Sequence, residues 1–335
     1  MSDLNIRISG RAGRITFNRP RALNALSHRM ALDLHAALEQ WRDDPDIALV
    51  IIDAEGEKAF CAGGDIAAVY RAGVEGDHQV GRDFFRDEYR MNAAIADYPK
   101  PIVAFMQGFV MGGGVGVAGH ASHRIVGDTT QIAMPEAGIG LIPDVGGTWL
   151  LGRAPGRIGE YLALTCGRIR AGDAIHAGFA DCYLPEAEWP ALISLLEQGG
   201  DVPRGIGLTP PPASLATRDL SAFGERNLSD IIVALERIGD EEALKPIRRN
   251  SPLSMAAGLA MVRAARGDRR MQESLSREYR FTWRATEHSD FLEGVRAQII
   301  DKDRDPQWSA DPSEIHVQEL LSPLGENELR WKEKL

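Results

Sequence analysis

Apolar positions recur along this chain with two different periods. From Leu4 to about Pro203, short runs rich in β-branched and large apolar residues read as strands: LNIRISG, GRITFNR, IALVIID, PIVAFMQG and HRIVGD. Between them lie LSHRMALDLHAALEQWRDD and FFRDEYRMNAAIADY, whose apolar residues return every three or four positions, as a half-buried helix requires. Strands alternating with helices predict an α/β fold. Past DVPRGIGLTPPPAS, crowded with Pro and Gly and stiffened by the Pro triplet at 210–212, the period is helical: NLSDIIVALERIG, SPLSMAAGLAMVRAARG, RRMQESLSREYRFTWRAT and SDFLEGVRAQIID. Ser251 stands as an N-cap before Pro252 at a first helical position. Asp290 and Glu293 have the spacing of a capping box. The expected organisation is an α/β core over residues 1–205 and an all-helical C-terminal region over 206–335, with no internal repeat.

Composition narrows the class of protein. At 335 residues the chain exceeds one domain of about 100–150 residues and has room for a sizeable core. With 44% hydrophobic and 26% charged residues it reads as soluble, and no window approaches the roughly 18 uninterrupted apolar residues of a membrane span. A net charge of −10 argues against a nucleic-acid or anionic-membrane surface as the main partner, while leaving room for local basic pockets. Cys61, Cys166 and Cys182 form neither a metal-type pair nor an even disulfide set, which fits a reducing compartment. The opening MSDLNIRISGRAGRITFNRP lacks the charged-then-apolar pattern of a secretion signal, so the expected location is the cytoplasm.

Three stretches carry candidate chemistry. AFCAGGDI puts Gly63 and Gly64 at a strand end, where backbone N–H groups can face a ligand with no Cβ in the way. MQGFVMGGGVGVAGH contains a literal G-x-G-x-x-G at Gly114, Gly116 and Gly119. A dinucleotide fingerprint should follow directly on a strand, however, and here the strand is already broken at Gly108. The glycines are better read as the start of a tightly packed helix whose free N–H groups suit a developing negative charge. MPEAGIGLIPDVGG sets Glu136 and Asp144 eight residues apart among small and apolar side chains. Each of these has a plainer reading. Asp144 could cap a helix, Glu136 could be an isolated surface carboxylate, and Glu88, beside Arg86, Asp87 and Arg90, could lie on a solvated helix face. His120 and His123 read as helix-end residues rather than metal ligands, for want of a third ligand, and Cys61, with no histidine base in evidence, reads as a packing residue.

AFCAGGDI, MGGGVGVAG and MPEAGIGLIPDVGG, in this order and spacing, resemble the enoyl-CoA hydratase/isomerase (crotonase) superfamily, whose members act on acyl-CoA thioesters. FFRDEY, the paired MPE and PDVGG, and the tail EYRFTWRATEHSDFLEGVRAQIIDKDRDPQW are most similar to the 3-hydroxyisobutyryl-CoA hydrolase branch. The resemblance runs from NRPRALNAL through DPQW. It implies a fold of stacked ββα units forming a spiral core, followed by the C-terminal helices. It also implies an oxyanion hole made by the backbone N–H groups of Gly64 and Gly113.

Hydratases of the superfamily use two glutamates, one three residues beyond the second oxyanion glycine and one in the segment matching MPE. The first position here is Gly116, so hydration would lack half its machinery, whereas Glu136 with Asp144 is the pair of the hydrolase branch. The implied reaction is hydrolysis of a 3-hydroxyacyl-CoA, with Glu136 as nucleophile or general base. Asp144 would orient the substrate hydroxyl or water, and Glu88 would contact substrate. Two carboxylates in an apolar pocket should titrate apart, one ionised and one protonated. An enoyl-CoA hydratase, an enoyl- or dienoyl-CoA isomerase and a non-catalytic acyl-CoA-binding protein are the alternatives. No metal or separate cofactor is implied, since coenzyme A is part of the substrate, and valine breakdown is the implied setting. Arg21 and Lys100 are candidates to meet the CoA phosphates. The tail leaves a trimer, a hexamer or a monomer open.

Overall fold

The computed structural model describes residues 2–331. Its strands are β1 (Leu4–Ser9), β2 (Ala12–Phe17), β3 (Leu49–Ala54), β4 (Ala59–Cys61), β5 (Ile102–Met106), β6 (Phe109–Met111), β7 (His123–Val126), β8 (Gln131–Ala133) and β9 (Cys182–Tyr183). Its α-helices begin with α1 (His28–Trp41), α2 (Ala67–Val74), α3 (Gln79–Ala96), α4 (Gly113–Ala118), α5 (Gly147–Arg153), α6 (Ile158–Thr165) and α7 (Ala171–His176). They continue with α8 (Trp189–Gly199), α9 (Leu228–Ile238), α10 (Glu241–Ile247), α11 (Pro252–Ala265), α12 (Met271–His288), α13 (Phe291–Val295) and α14 (Glu314–Leu320). All described elements beyond residue 206 are helical, as their apolar period predicts. None of the described helices is long and apolar enough to cross a membrane. By proximity the chain forms two compact units, each discontinuous in sequence. One comprises Met1–Asp65, Arg90–Ala133 and Arg168–Thr217, the other Ile66–Tyr89, Met134–Gly167 and Arg218–Leu335.

The first unit is built on two sheets, ordered β1-β2-β3-β5-β7-β9 and β4-β6-β8. Among the described strand pairs only the β1–β2 hairpin is antiparallel. The pairs β3/β4, β5/β6 and β7/β8 each give one strand to the long sheet and one to the short sheet, so every turn of chain extends both. That is the expected spiral of ββα units. The first four residues of β3, Leu49, Val50, Ile51 and Ile52, are fully buried, which explains their unbroken apolar run, since a parallel strand is covered on both faces. Leu49, Ile51, Val103, Phe105 and Ile125 pack with Trp189, Leu192 and Leu196 of α8. The rings of Phe105 and Trp189 lie 5.3 Å apart. Helix α1 is capped by Ser27, which accepts from the Met30 N–H, and it buries Met30, Leu34, Leu38 and Trp41 along one stripe.

The second unit is helical. Helices α5, α6 and α11 pack against one another, with Ser251 capping α11 through the Ser254 N–H and Pro252 in its first turn, as expected. Asp290 departs from expectation. It precedes α13, yet its side chain makes no cap bond there. Its carboxylate instead accepts from the Ser251 hydroxyl at 2.7 Å and from the N–H groups of Ser309 and Ala310, while Glu293 pairs with Arg296. The buried Asp290 carboxylate is thus satisfied by polar groups of two other segments, a demand that outweighs the local cap.

Candidate active site

In the first unit, parallel pairing of β4 with β6 sets Cys61 opposite Val110, so the segments that leave both strands emerge side by side. These segments carry the expected oxyanion glycines, Gly64 and Gly113. Gly64 bridges to Leu26, whose N–H donates to the Gly63 carbonyl at 2.9 Å. Gly113 opens α4, where the first N–H groups have no intrahelical acceptor. Gly114 must be glycine, because a Cβ there would sit 2.3 Å from the Cys61 carbonyl oxygen. The literal G-x-G-x-x-G lies within α4 and its end, not in a turn ahead of it, so it does not form a phosphate-binding turn.

In the second unit four carboxylates are buried together. Glu88, Glu136 and Asp144 are at most 5% exposed, and Glu278 of α12 is fully buried. Glu88 and Glu136 each leave one carboxylate oxygen, Oε1 and Oε2 respectively, without a hydrogen-bond partner. Such orphaned acceptors need a proton, a water or a ligand. Burial, then the nearby Asp144, pushes Glu88 well above the usual carboxylate range, and the same two causes raise Glu136. Asp144 is pushed up to about 7 by burial, against the pull of hydrogen bonds from the Tyr89 hydroxyl and its own N–H. The group therefore holds fewer negative charges than carboxylates near neutral pH, and Asp144, with the most donors of the three, is where charge is best held.

The loop that carries Asp144 is held from a distance. Helix α5 starts at Gly147 with Gly146 as N-cap and no side-chain cap, so Asp144 is not the helix cap that its position suggests. That role falls to Glu278, 132 residues from Gly146, which accepts from the N–H of Gly146 at 2.8 Å, the N–H of Thr148 at 3.0 Å and the Thr148 hydroxyl. Burial raises Glu278 to about 8, although these bonds pull the other way. Between Asp144 and Gly146, Val145 sits at φ +54°, a left-handed conformation that a β-branched residue rarely adopts. Such strain costs roughly 1–3 kcal/mol and persists only where surrounding bonds over-determine the backbone. The Asp144 hydroxyl donor, Tyr89 Oη, lies 2.8 Å from Oδ2 and 3.3 Å from Thr282 Oγ1 of α12.

Glu136 opens the short 3-10 turn Glu136–Ile139, which ends at Gly140 with φ +73°. A Cβ on Gly140 would meet the Asp290 carbonyl oxygen at 2.3 Å, and the Ser251 N–H donates to the Ala137 carbonyl at 2.9 Å. Glu136 is therefore a buried carboxylate on a clamped turn, not an isolated surface one.

The remaining sequence candidates belong to the first unit. Lys100 Nζ donates to the backbone carbonyls of Trp41 and Asp44 just past α1, so its charge is already engaged. Arg21 is exposed on the turn Pro20–Ala22. His120 follows α4 and His123 opens β7. Cys61 is buried at the end of β4. Among the described residues no group of three His, Cys, Asp or Glu side chains is arranged to hold a metal ion. Tyr89, Glu278 and Thr282 were not foreseen. A signal for two of them was in the sequence, because Glu278 and Thr282 continue the apolar stripe Met271, Leu275 and Ala285 of α12, where a polar residue is buried and must find partners.

A two-sheet ββα spiral with glycine-lined strand ends and a buried carboxylate group defines the class: the chain belongs to the enoyl-CoA hydratase/isomerase family, whose pattern it matches over residues 12–321. Within it, the chain is 36% identical to the mitochondrial 3-hydroxyisobutyryl-CoA hydrolase of Gallus gallus, over 98% of this chain and 91% of that protein. Two crystal structures superpose with a TM-score of 0.94. One is an enoyl-CoA hydratase from Rhodobacter sphaeroides, 52% identical over 98% of this chain and all of that one. The other is a carnitinyl-CoA dehydratase from Mycobacterium thermoresistibile, 37% identical over the full length of both. The names of these relatives carry different reactions, so the chemistry has to be argued from side chains. The expected cytoplasmic location is corrected by the same comparison, since the Gallus gallus relative is mitochondrial. Cysteine usage does not choose among reducing compartments.

Proposed function

We propose that the protein hydrolyses a 3-hydroxyacyl-CoA thioester to the free hydroxy acid and CoA, with 3-hydroxyisobutyryl-CoA, the substrate in the name of its Gallus gallus relative, as the preferred substrate. The observation that carries this reading is the buried pair Glu136 and Asp144, combined with Gly116 at the position where a hydratase of the family places its other glutamate. The backbone N–H groups of Gly64 and Gly113 are assigned to the oxyanion of the tetrahedral intermediate, a role in which one donor is worth about 100–1000-fold in rate. The carboxylate pair then supplies both proton transfers. Its ionised member takes a proton as water adds to the carbonyl carbon, or attacks the carbonyl directly. Its protonated member gives a proton to the departing sulfur. Water and thioester are the only reactants this scheme requires, and no separate cofactor enters it.

The orphaned oxygen of Glu88 is assigned to the substrate, where a hydroxyl on the acyl chain would satisfy it. The tail is read as part of its own chain's site, since α12 supplies Glu278 and Thr282. Gel filtration with light scattering separates a monomer from a trimer or hexamer. The test of the reaction offers crotonyl-CoA, a 3-enoyl-CoA and 3-hydroxyisobutyryl-CoA side by side and follows free thiol. Release from the hydroxyacyl thioester alone, lost about 1000-fold in Glu136→Gln, is the expected result. Loss of the crotonyl-CoA double bond without thiol release would replace this reading with hydration.

A further inference from the structure

The hydrogen-bond pattern divides labour within the carboxylate pair. Asp144 accepts from the Tyr89 hydroxyl at 2.8 Å and from its own N–H. Glu136 accepts from its own N–H, and its Oε2 has no partner. The Tyr89 ring is held edge-on by Tyr279 at 6.2 Å and flanked by Phe85, and its oxygen is 3.3 Å from the Thr282 hydroxyl. Tyr89 is fully buried, and burial followed by the charge of Asp144 raises its own pKa, so it stays a donor across the working pH range. Among the described residues, the other ionisable groups that act on this pair are Glu88 beside Tyr89 on α3 and Glu278 on α12, both acidic, and the buried Cys166 thiol near Glu136, pushed up to about 12 and so neutral. None of these can stabilise a charge on Asp144. The phenol is the side-chain donor that does.

We propose that Tyr89, anchored by Thr282, is a positioning residue that keeps the negative charge of the pair on Asp144 and the proton on Glu136. This rests on the hydrolase reading and deepens it by assigning the two roles. Water gives its proton to the Asp144 carboxylate while its oxygen bonds to the thioester carbon. As the C–S bond breaks, its electron pair goes to sulfur, which takes the proton of Glu136. Thioester and water become acid and thiol, and the pair is left with its proton on Asp144 and its charge on Glu136. Transfer of that proton back to Glu136 restores the resting state, which the Tyr89 bond favours.

The test does not depend on turnover alone. In protein labelled with 13C at the aspartate side-chain carboxyl, the resonance missing from Asp144→Asn reports the titration of Asp144. Tyr89→Phe removes one hydroxyl with little change in volume and is expected to move that midpoint upward by about one pH unit, the effect of losing one good donor. In the hydrolysis assay the same variant is expected to move the acid limb of kcat upward to match, lower kcat at neutral pH about tenfold and leave KM within about twofold. Thr282→Val should displace the midpoint in the same direction, and Thr282→Ser, which keeps the hydroxyl, should restore it. An unchanged midpoint in both Tyr89→Phe and Thr282→Val overturns the proposal. If the wild type releases no thiol from any 3-hydroxyacyl-CoA, the hydrolase reading fails while the titration still judges the role of Tyr89.

Discussion

The glycine segments after β4 and β6 and the carboxylate group around Asp144 are made of different materials. The first is backbone. Its donors are N–H groups that exist wherever a strand ends or a helix begins, and what the sequence adds is the removal of obstacles, as at Gly114, where a Cβ would strike the Cys61 carbonyl. The second is side chain. Its chemistry lies in how many protons four buried acids hold, and that is set by Tyr89, Thr282 and Glu278, brought to the loop from two other helices. A backbone donor always carries its hydrogen, whereas a buried acid has a proton affinity that its neighbours decide. The first region should therefore fail by losing shape, and the second by losing its distribution of charge.

Three substitutions sharpen the contrast. Asp144→Asn should have the largest effect, lowering thiol release about 1000-fold at neutral pH, a typical loss for a group that transfers a proton. Its effect on stability should run the other way. The folded chain holds a proton on Asp144 up to about pH 7, whereas the unfolded chain releases it near 4. Between these values the folded state binds more protons, so the contribution of Asp144 to stability falls as pH rises from about 4 to about 7 and is flat above. Asparagine removes that loss, and at pH 8 the variant should melt roughly 2–4 °C above wild type by differential scanning calorimetry. A lower melting temperature would mean that Asp144 is there for structure.

Gly114→Ala should come next and behave oppositely. Its Cβ would displace the start of α4 from the end of β4, with about 100-fold lower kcat and a stability cost of about 1–3 kcal/mol in urea unfolding. Activity lost with an unchanged pH profile is the signature of a shape defect. Glu278→Gln should be the mildest, since the side chain keeps its volume but turns an amide donor towards one of the N–H groups of Gly146 and Thr148. An expected loss of about 1–3 kcal/mol, with kcat down about tenfold as the Val145 turn relaxes, checks whether α12 holds the loop. Full activity with full stability would separate α12 from the site.

Legibility followed the same line. The strands β1, β2, β3, β5 and β7, the helical tail and the glycine segments were readable because period and turn chemistry are local, whereas β4, β6, β8 and β9, two or three residues each, are too short to show a period. Glu136 and Asp144 stood out as charges in an apolar run. At Asp290 local spacing suggested a helix cap and tertiary partners claimed the carboxylate, while at Asp144 the plainer reading as a cap fell because α12 supplied that cap. Tyr89 lay hidden in the charged FFRDEY, because a donor to a carboxylate 55 residues away leaves no mark on its own neighbours.

By itself the sequence determined the alternation of strands and helices, the glycines that follow β4 and β6, and the placing of Gly116, Glu136 and Asp144 on which the proposed thioester cleavage rests. Only the tertiary structure decided which acid keeps its proton. Proton affinity in a buried site is the balance of lost hydration against nearby charges and donors, and those neighbours are set by folding rather than by adjacency in the chain.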